Sequence, residues 1–414
     1  MKVLYFDQYF PPEKASGSHL VQDLLDGMAK SGWEVNVFVP VPTRGVSDEV
    51  RECYKKNRIE STRGDRVIIH RMPLCKEGKN PIQRAFRYMI FSIKCFCKAL
   101  DEKYDVVFTG SGPPTQGFVI GLASRIKGKP FIYNLQDIFP DSLVTTGLAA
   151  KQSIPWKIGR CIEDSSYRNA TRIITISERM RANVLAKGAD ASKVSVVMNW
   201  EDVDTVTQVA KDNNPLFEEL GIDSNIFTVL YAGNLGGSQG MESFLELAED
   251  SSDLPIQFVI VGEGSEEEHL RSLASSMGLN NLLFRPLQPV SRVAEVYSMA
   301  DIAYISCAPG VGKAGFPSKA WSIFATGKPV LASFDVDSDL GDAINDSHLG
   351  AISDPSDRLS RSKNLRSLFT DSQRRVEAGV NARRFAELKG SRDKAVSSYL
   401  EVIESTVSGG DIND

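Results

Sequence analysis

The segment Gly310-Val311-Gly312-Lys313-Ala314-Gly315-Phe316-Pro317-Ser318-Lys319 brings together residue types that can grip a phosphate. Glycines let backbone N–H groups approach an anion, a helix N-terminus adds its dipole, and lysine adds a full positive charge. The segment follows an apolar run at 302–305 and opens a helical pattern at 319–326, with Pro317 and Ser318 typical of a first turn. Such an arrangement can hold a diphosphate without a metal. The competing reading is a plain glycine loop leading into a capped helix. Gly233-Asn234-Leu235-Gly236-Gly237 and Gly262-Glu263-Gly264 also follow strand-like runs. Neither continues into Gly-Lys-Ser/Thr or completes a dinucleotide fingerprint, so each reads equally well as a tight turn. Asp137, just past the apolar run 131–134, is a carboxylate that can bind a hydroxyl or assist proton transfer, or can simply cap a turn.

Other chemistries find little support. The six cysteines, Cys53, Cys75, Cys95, Cys97, Cys161 and Cys307, lack zinc-site spacing and read as free thiols of a reducing cytosol. The four histidines are scattered, so neither a metal site nor a histidine-assisted nucleophile is expected. No run approaches the ~20 apolar residues of a membrane-spanning helix. The N-terminus opens on an apolar strand rather than a basic leader, which argues against secretion.

Positioning these groups calls for strands that end where the loops begin. Apolar runs at 2–6, 35–39, 105–108, 131–134 and 172–176 alternate with helical spacing such as Leu20, Leu24, Leu25 and Met28. The second half repeats the rhythm at 228–232, 257–261, 282–284, 302–305 and 329–332. The pattern predicts an α/β chain with two doubly wound, Rossmann-like domains, ligands lying at the carboxyl ends of the strands. The expected boundaries are 1–200, 201–390, and a terminal helix at 391–414 crossing back to the first domain and ending in a disordered tail. A hinge is expected in the polar stretch 199–214. Charge divides along the same line. Residues 1–200 carry 30 Lys and Arg against 20 Asp and Glu, and the remainder 18 against 33. A basic first half suits an anionic ligand or surface. Within it, Arg84, Arg87, Tyr88, Phe91 and Lys94 mix basic and aromatic side chains, while Phe86, Ile90, Ile93, Cys97 and Leu100 recur at helical spacing. This is either an ordinary amphipathic helix or one that rests on an anionic leaflet.

The chain resembles the family 4 glycosyltransferases of the GT-B fold, in which two such domains face a central cleft. Pro11-Pro12-Glu13-Lys14-Ala15-Ser16-Gly17-Ser18 resembles the family's N-terminal glycine loop. Lys30-Ser31-Gly32-Trp33-Glu34-Val35-Asn36-Val37 and Gln136-Asp137-Ile138-Phe139-Pro140-Asp141-Ser142 resemble two further landmarks. Ile174-Thr175-Ile176-Ser177, Met198-Asn199-Trp200-Glu201-Asp202, Pro317-Ser318-Lys319 and Ala325-Thr326-Gly327-Lys328-Pro329-Val330 follow in order. The Asn-Trp and Pro-Ser-Lys forms are similar to the subgroup that builds bacterial O-antigen, capsule and colanic-acid repeat units. Two departures stand out. The family's pair of glutamates, the first on the donor sugar and the second on the ribose, falls here on Ala314 and Ser322. Its Arg and Lys after the first strand of the second domain fall on Asn234 and Gln239.

The resemblance implies a metal-independent, retaining transferase that moves a sugar, expected to be an N-acetylated or deoxy hexose, from a UDP-sugar. The acceptor it implies is a polyprenyl-diphosphate-linked saccharide, in surface polysaccharide biosynthesis. It implies no cofactor beyond the nucleotide-sugar substrate, no nucleic-acid partner, and a cytoplasmic protein peripherally bound to the inner membrane. Lys319 is the candidate for the missing cation, with Lys313 in reserve, and Asp137 is the candidate for work on a hydroxyl. Ser16, Gly17, Asn234, Gly236, Gln239, Arg285, Gly315, Phe316, Ser318 and Ser322 complete the expected donor site. A transferase with a soluble acceptor, a UDP-HexNAc epimerase of related fold, and a scaffold without activity remain as alternatives.

Overall fold

Short runs of β-branched and aromatic residues form fourteen strands among the described residues of the computed structural model, 1–13, 17–78, 80–141 and 150–409. They divide between two compact units, Met1–Met198 with Asp393–Asp414, and Asn199–Arg392.

The first unit holds β1 (Lys2–Phe6), β2 (Glu34–Pro40), β3 (Ile59–Thr62), β4 (Val67–Met72), β5 (Val106–Gly110), β6 (Phe131–Leu135), β7 (Arg172–Thr175) and β8 (Val194–Val196). Their order is β3-β4-β2-β1-β5-β6-β7-β8, parallel except for β3, which runs antiparallel to β4. All five residues of β6 are buried, as expected of a parallel sheet covered on both faces. The helix Arg392–Ser408 belongs to this unit for nearly all its length. It buries Tyr399, whose hydroxyl donates to Asn134 Oδ1 at 3.0 Å and whose ring lies 6.2 Å from that of Phe108. Residues 410–414, the end of the expected tail, lie outside the described residues.

The second unit holds β9 (Phe227–Asn234), β10 (Ile256–Glu263), β11 (Leu282–Arg285), β12 (Ile302–Ser306), β13 (Val330–Ser333) and β14 (Gly350–Ser353), ordered β11-β10-β9-β12-β13-β14. Every pairing is parallel. Phe244 packs edge-on to Phe258, 5.5 Å between centroids, and lies 4.8 Å from Tyr304. The boundary between the units, Met198 to Asn199, falls at the start of the polar stretch 199–214 expected as a hinge, and the stretch itself is fastened onto this unit. Val209 N–H donates to Ser298 Oγ at 2.9 Å, Lys211 pairs with Asp301 at 2.7 Å, and Asn214 Nδ2 donates to Glu295 O at 2.7 Å. Its polar residues serve these bonds.

The basic segment expected to rest on a leaflet is the helix Pro81–Asp101, and its inner face differs from the expected one. Phe91 and Arg87 are each 1% exposed. Phe91 joins the core, while Arg87 donates to Cys75 O at 3.1 Å and stands 3.7 Å from Glu77. Tyr88 lies 3.4 Å from the Tyr9 hydroxyl, and Lys94 donates to Pro73 O at 2.6 Å. Of the five residues, only Arg84 is exposed, and it lies 3.4 Å from Glu77. Phe86, Ile93 and Cys97, three of the five residues at helical spacing, face solvent. No described helix is long and apolar enough to cross a membrane.

Candidate functional site

In a doubly wound sheet the chain turns back where strand order reverses, and the loops there diverge to leave a crevice. In the second unit that point lies between β9 and β12. The loops leaving these strands are Asn234–Gly240 and Cys307–Ser318, and they meet: Ala308 N–H donates to Ser238 O at 2.9 Å.

Lys319, the first residue of the short helix Lys319–Ala325, reaches into this junction. Its Nζ sits 3.8 Å from the centre of the Tyr231 ring and 3.3 Å from Gln239 Oε1. Tyr231 is itself fixed by donating to Asn234 O at 2.7 Å. A Cβ on Gly233 would stand only 3.4 Å from the ammonium. Thus Lys319 brings a cation to the loop where the resemblance places an Arg and a Lys that this chain lacks. No carboxylate contacts it among the described residues. Burial without a counter-charge pushes its pKa down to about 7, because desolvation disfavours the charged form. Lys313, the alternative cation, is exposed and 3.7 Å from Asp337.

The glycine loop is held by a residue the sequence reading passed over. Asp335, 6% exposed, follows β13 and accepts Gly310 N–H at 2.9 Å and Gly312 N–H at 2.7 Å. Phe316 anchors the other end, stacked on Trp321 at 4.9 Å. Its side chain therefore packs, and only its backbone is left for a ligand. Gly315 is extended and a Cβ there would meet nothing within 4 Å, so the fold does not require glycine at this position. Ser318 is exposed and makes no capping hydrogen bond.

One helical turn beyond Lys319, Ser322 donates to Glu201 Oε2 at 2.5 Å. Glu201 is held by its backbone, with N–H to Gly390 O at 2.9 Å and O accepting Arg392 N–H at 3.1 Å. A carboxylate therefore stands beside Ser322, where the resemblance places a glutamate. It comes from residue 201, a position distant in sequence, and only the landmark at 198–202 hinted at it.

Arg285, expected in the donor site, donates to Leu220 O, to Gly221 O at 3.1 Å and to Phe284 O at 3.0 Å, so its guanidinium fastens a helix end. Gly262 and Gly264 permit close backbone packing: a Cβ on either would fall 2.3 Å from a carbonyl oxygen, of Gly233 and Leu235 respectively. Gly236 remains in the loop after β9, where a Cβ would lie 2.8 Å from Asn234 Nδ2.

In the first unit the reversal falls between β1 and β5. Asp7, which follows β1, accepts Tyr9 N–H at 3.3 Å and is pushed up to about 6 by burial. Past β5, Ser111 Oγ accepts the N–H groups of Gln136 and Asp137 at 3.2 and 3.3 Å. This fixes the backbone of Asp137 and leaves its side chain exposed. Gly17 adopts a left-handed φ of 79° as it starts the helix Ser18–Lys30, while Ser16 lies outside the described residues. Asp7 escaped the sequence reading because it has no motif around it. Among the described residues no group of three or more His, Cys, Asp or Glu is placed to hold a metal.

Comparison with known proteins agrees with this geometry. Residues 18–200 match the glycosyl transferase 4-like domain and residues 212–385 the glycosyl transferases group 1 family. A protein of Escherichia coli K12 named as the colanic acid biosynthesis glycosyl transferase WcaI is 27% identical over 350 residues, 82% of this chain and 85% of its own. One of Pseudomonas aeruginosa named as the glycosyltransferase WbjE is 23% identical over 362 residues, 86% of each chain. The structure of Anabaena HepE in complex with UDP superposes with a TM-score of 0.72 at 18% identity, covering 98% of this chain and 100% of that one. With one glycosyltransferase domain in each half and the two-domain fold shared along the whole chain, the protein belongs to the glycosyltransferases of the GT-B fold.

Proposed function

We propose that this glycosyltransferase takes a sugar from a UDP-sugar and transfers it, with retention, to a polyprenyl-diphosphate-linked saccharide. The setting is bacterial surface polysaccharide biosynthesis at the cytoplasmic face of the inner membrane. The observation that carries the donor half is Lys319: a half-buried ammonium without a counter-ion among the described residues, at the reversal point of the second sheet. A diphosphate is the partner such a group lacks. Two relatives support the reading, one named for colanic acid biosynthesis and the other, HepE, solved with UDP and with UDP-glucose.

In this reading Lys319 and the backbone of the Asp335-held loop stabilise charge gathering on the departing diphosphate. The bond from the anomeric carbon to the β-phosphate oxygen breaks as the bond to the acceptor oxygen forms on the same face. The acceptor's proton passes to the departing phosphate oxygen. Positive charge comes from the protein, and Asp137 orients a hydroxyl. Calorimetric titration of UDP-, GDP- and dTDP-sugars tests the donor assignment. Binding of UDP-sugars that Lys319→Ala weakens at least tenfold is expected, and equal affinity in that variant would refute it.

A further inference from the structure

Three neighbouring helices of the first unit, Pro81–Asp101, Gln116–Lys127 and Ile154–Asn169, bury one side against the sheet and expose a second apolar stripe. A helix covering a sheet needs only one. On the first, Ile82, Phe86, Met89 and Ile93 recur at intervals of four, three and four, with exposures of 79, 55, 49 and 54%. The residues that fill the core are others, among them Phe91, Cys95 and Ala99. The second helix packs against both its neighbours and exposes Phe118, Leu122 and Ile126, each one turn apart. Ile154 and Ile158 continue the stripe on the third, 74 and 57% exposed. The crossovers β4 to β5, β5 to β6 and β6 to β7 run the same way across the sheet. Right-handed connections therefore put all three helices on one face.

Charge decides what such a face fits. The three helices together hold nine Lys and Arg against three Asp and Glu, Asp101, Glu163 and Asp164, of which Glu163 is buried. Arg125, Lys129, Lys151 and Lys157 are exposed, and no ion pair engages them among the described residues. A two-fold contact with a second copy would set this basic surface against itself, which like-charge repulsion opposes. A leaflet of anionic lipid offers both an apolar layer and opposite charge.

We propose that this three-helix face docks on an anionic bilayer. The proposal rests on the lipid-linked acceptor reading for its purpose, since it names the surface on which that acceptor is met. It replaces the single helix of the sequence reading with a different set of side chains on three.

The test is flotation of the full chain with vesicles of phosphatidylethanolamine containing about one quarter phosphatidylglycerol, near physiological salt. Phosphatidylcholine vesicles serve as control. The chain is expected to float with the anionic vesicles and not with the control. The triple variant I82S/F86S/I93S and the charge variant K151E/K157E should each lower the bound fraction ~tenfold. Their unfolding temperature should stay unchanged, because the replaced side chains face solvent. Absence of flotation, or flotation untouched by both variants, overturns the proposal. So does a dimer in sedimentation that I82S/F86S/I93S converts to monomer without any vesicle binding. UDP-glucose titrated into the same proteins reports on the donor reading separately: flotation without nucleotide binding would sink that reading and leave this one standing.

Discussion

Donor binding should be linked to protonation of Lys319, and the size of the link follows from its surroundings. Desolvation beside Tyr231 and Gln239, with no carboxylate in contact among the described residues, pushes the free ammonium down to about 7 from its ordinary 10.5. A diphosphate supplies the missing negative charge and returns the bound-state pKa toward its usual range. The sign is fixed by this difference. Below about pH 7 the free lysine is already charged and affinity is full, whereas above it each bound donor must draw in a proton. The dissociation constant should therefore rise about tenfold between pH 6 and 8, the cost of protonating a group one unit above its pKa, ~1.4 kcal/mol. UDP-glucose is the right probe because its phosphates are diesters that do not titrate in this range. Calorimetry at pH 8 in two buffers of different ionisation enthalpy should show uptake of nearly one proton per donor. Lys319→Arg, charged throughout, should flatten the profile. Lys319→Gln should lose about 1.5–3 kcal/mol at pH 6, the worth of a charge-assisted hydrogen bond, and approach the parent near pH 9. A parent affinity independent of pH from 6 to 8.5, with no proton uptake, would refute the reasoning.

In the proposed donor reading Glu201, beside Ser322, accepts from the ribose diol. The parent should prefer UDP over its 2′-deoxy analogue by about tenfold or more, and Glu201→Gln should shrink that ratio. Asp335→Asn removes the charged acceptor of two loop N–H groups, so unfolding free energy should fall by about 1–3 kcal/mol and UDP affinity with it; denaturant titration and calorimetry read both. Arg285→Ala should lower the unfolding temperature while UDP affinity stays within about twofold, since its bonds go to backbone carbonyls of its own unit. Asp7 has a folded pKa near 6, above its ordinary 3.8, so it favours folding below pH 4 and that contribution is lost as pH rises through 6. Asp7→Asn should therefore gain stability relative to the parent between pH 4 and 7, by up to roughly 3 kcal/mol in urea unfolding.

How far the sequence could be read depended on whether a feature is local in the chain. Strands such as β9 and β12 are continuous apolar runs ended by glycine or polar residues, and each was readable within eight positions. The loop 310–319 was visible for the same reason. Between 39 and 105 the reading found no strand, yet β3 and β4 lie there, because Ile59-Glu60-Ser61-Thr62 and Val67-Ile68-Ile69-His70-Arg71-Met72 carry polar residues that pair across the sheet edge. His70 reaches Asn36 and Arg71 reaches Glu60, so their polarity reflects partners in space and not a loop. The inner face of the helix Pro81–Asp101 was misjudged because that helix has two apolar stripes. Periodicity shows that a stripe exists, and only the sheet beneath decides which one is inside. The site divides the same way. Lys319 was legible beside its glycines, but Glu201 meets Ser322 across 121 positions of chain and Asp335 holds glycines 23 and 25 positions earlier. Groups that meet through the fold leave no spacing to read. A carboxylate absent from its expected place in the sequence can therefore still be present at the site, and a substituted position should be judged by what the fold brings beside it.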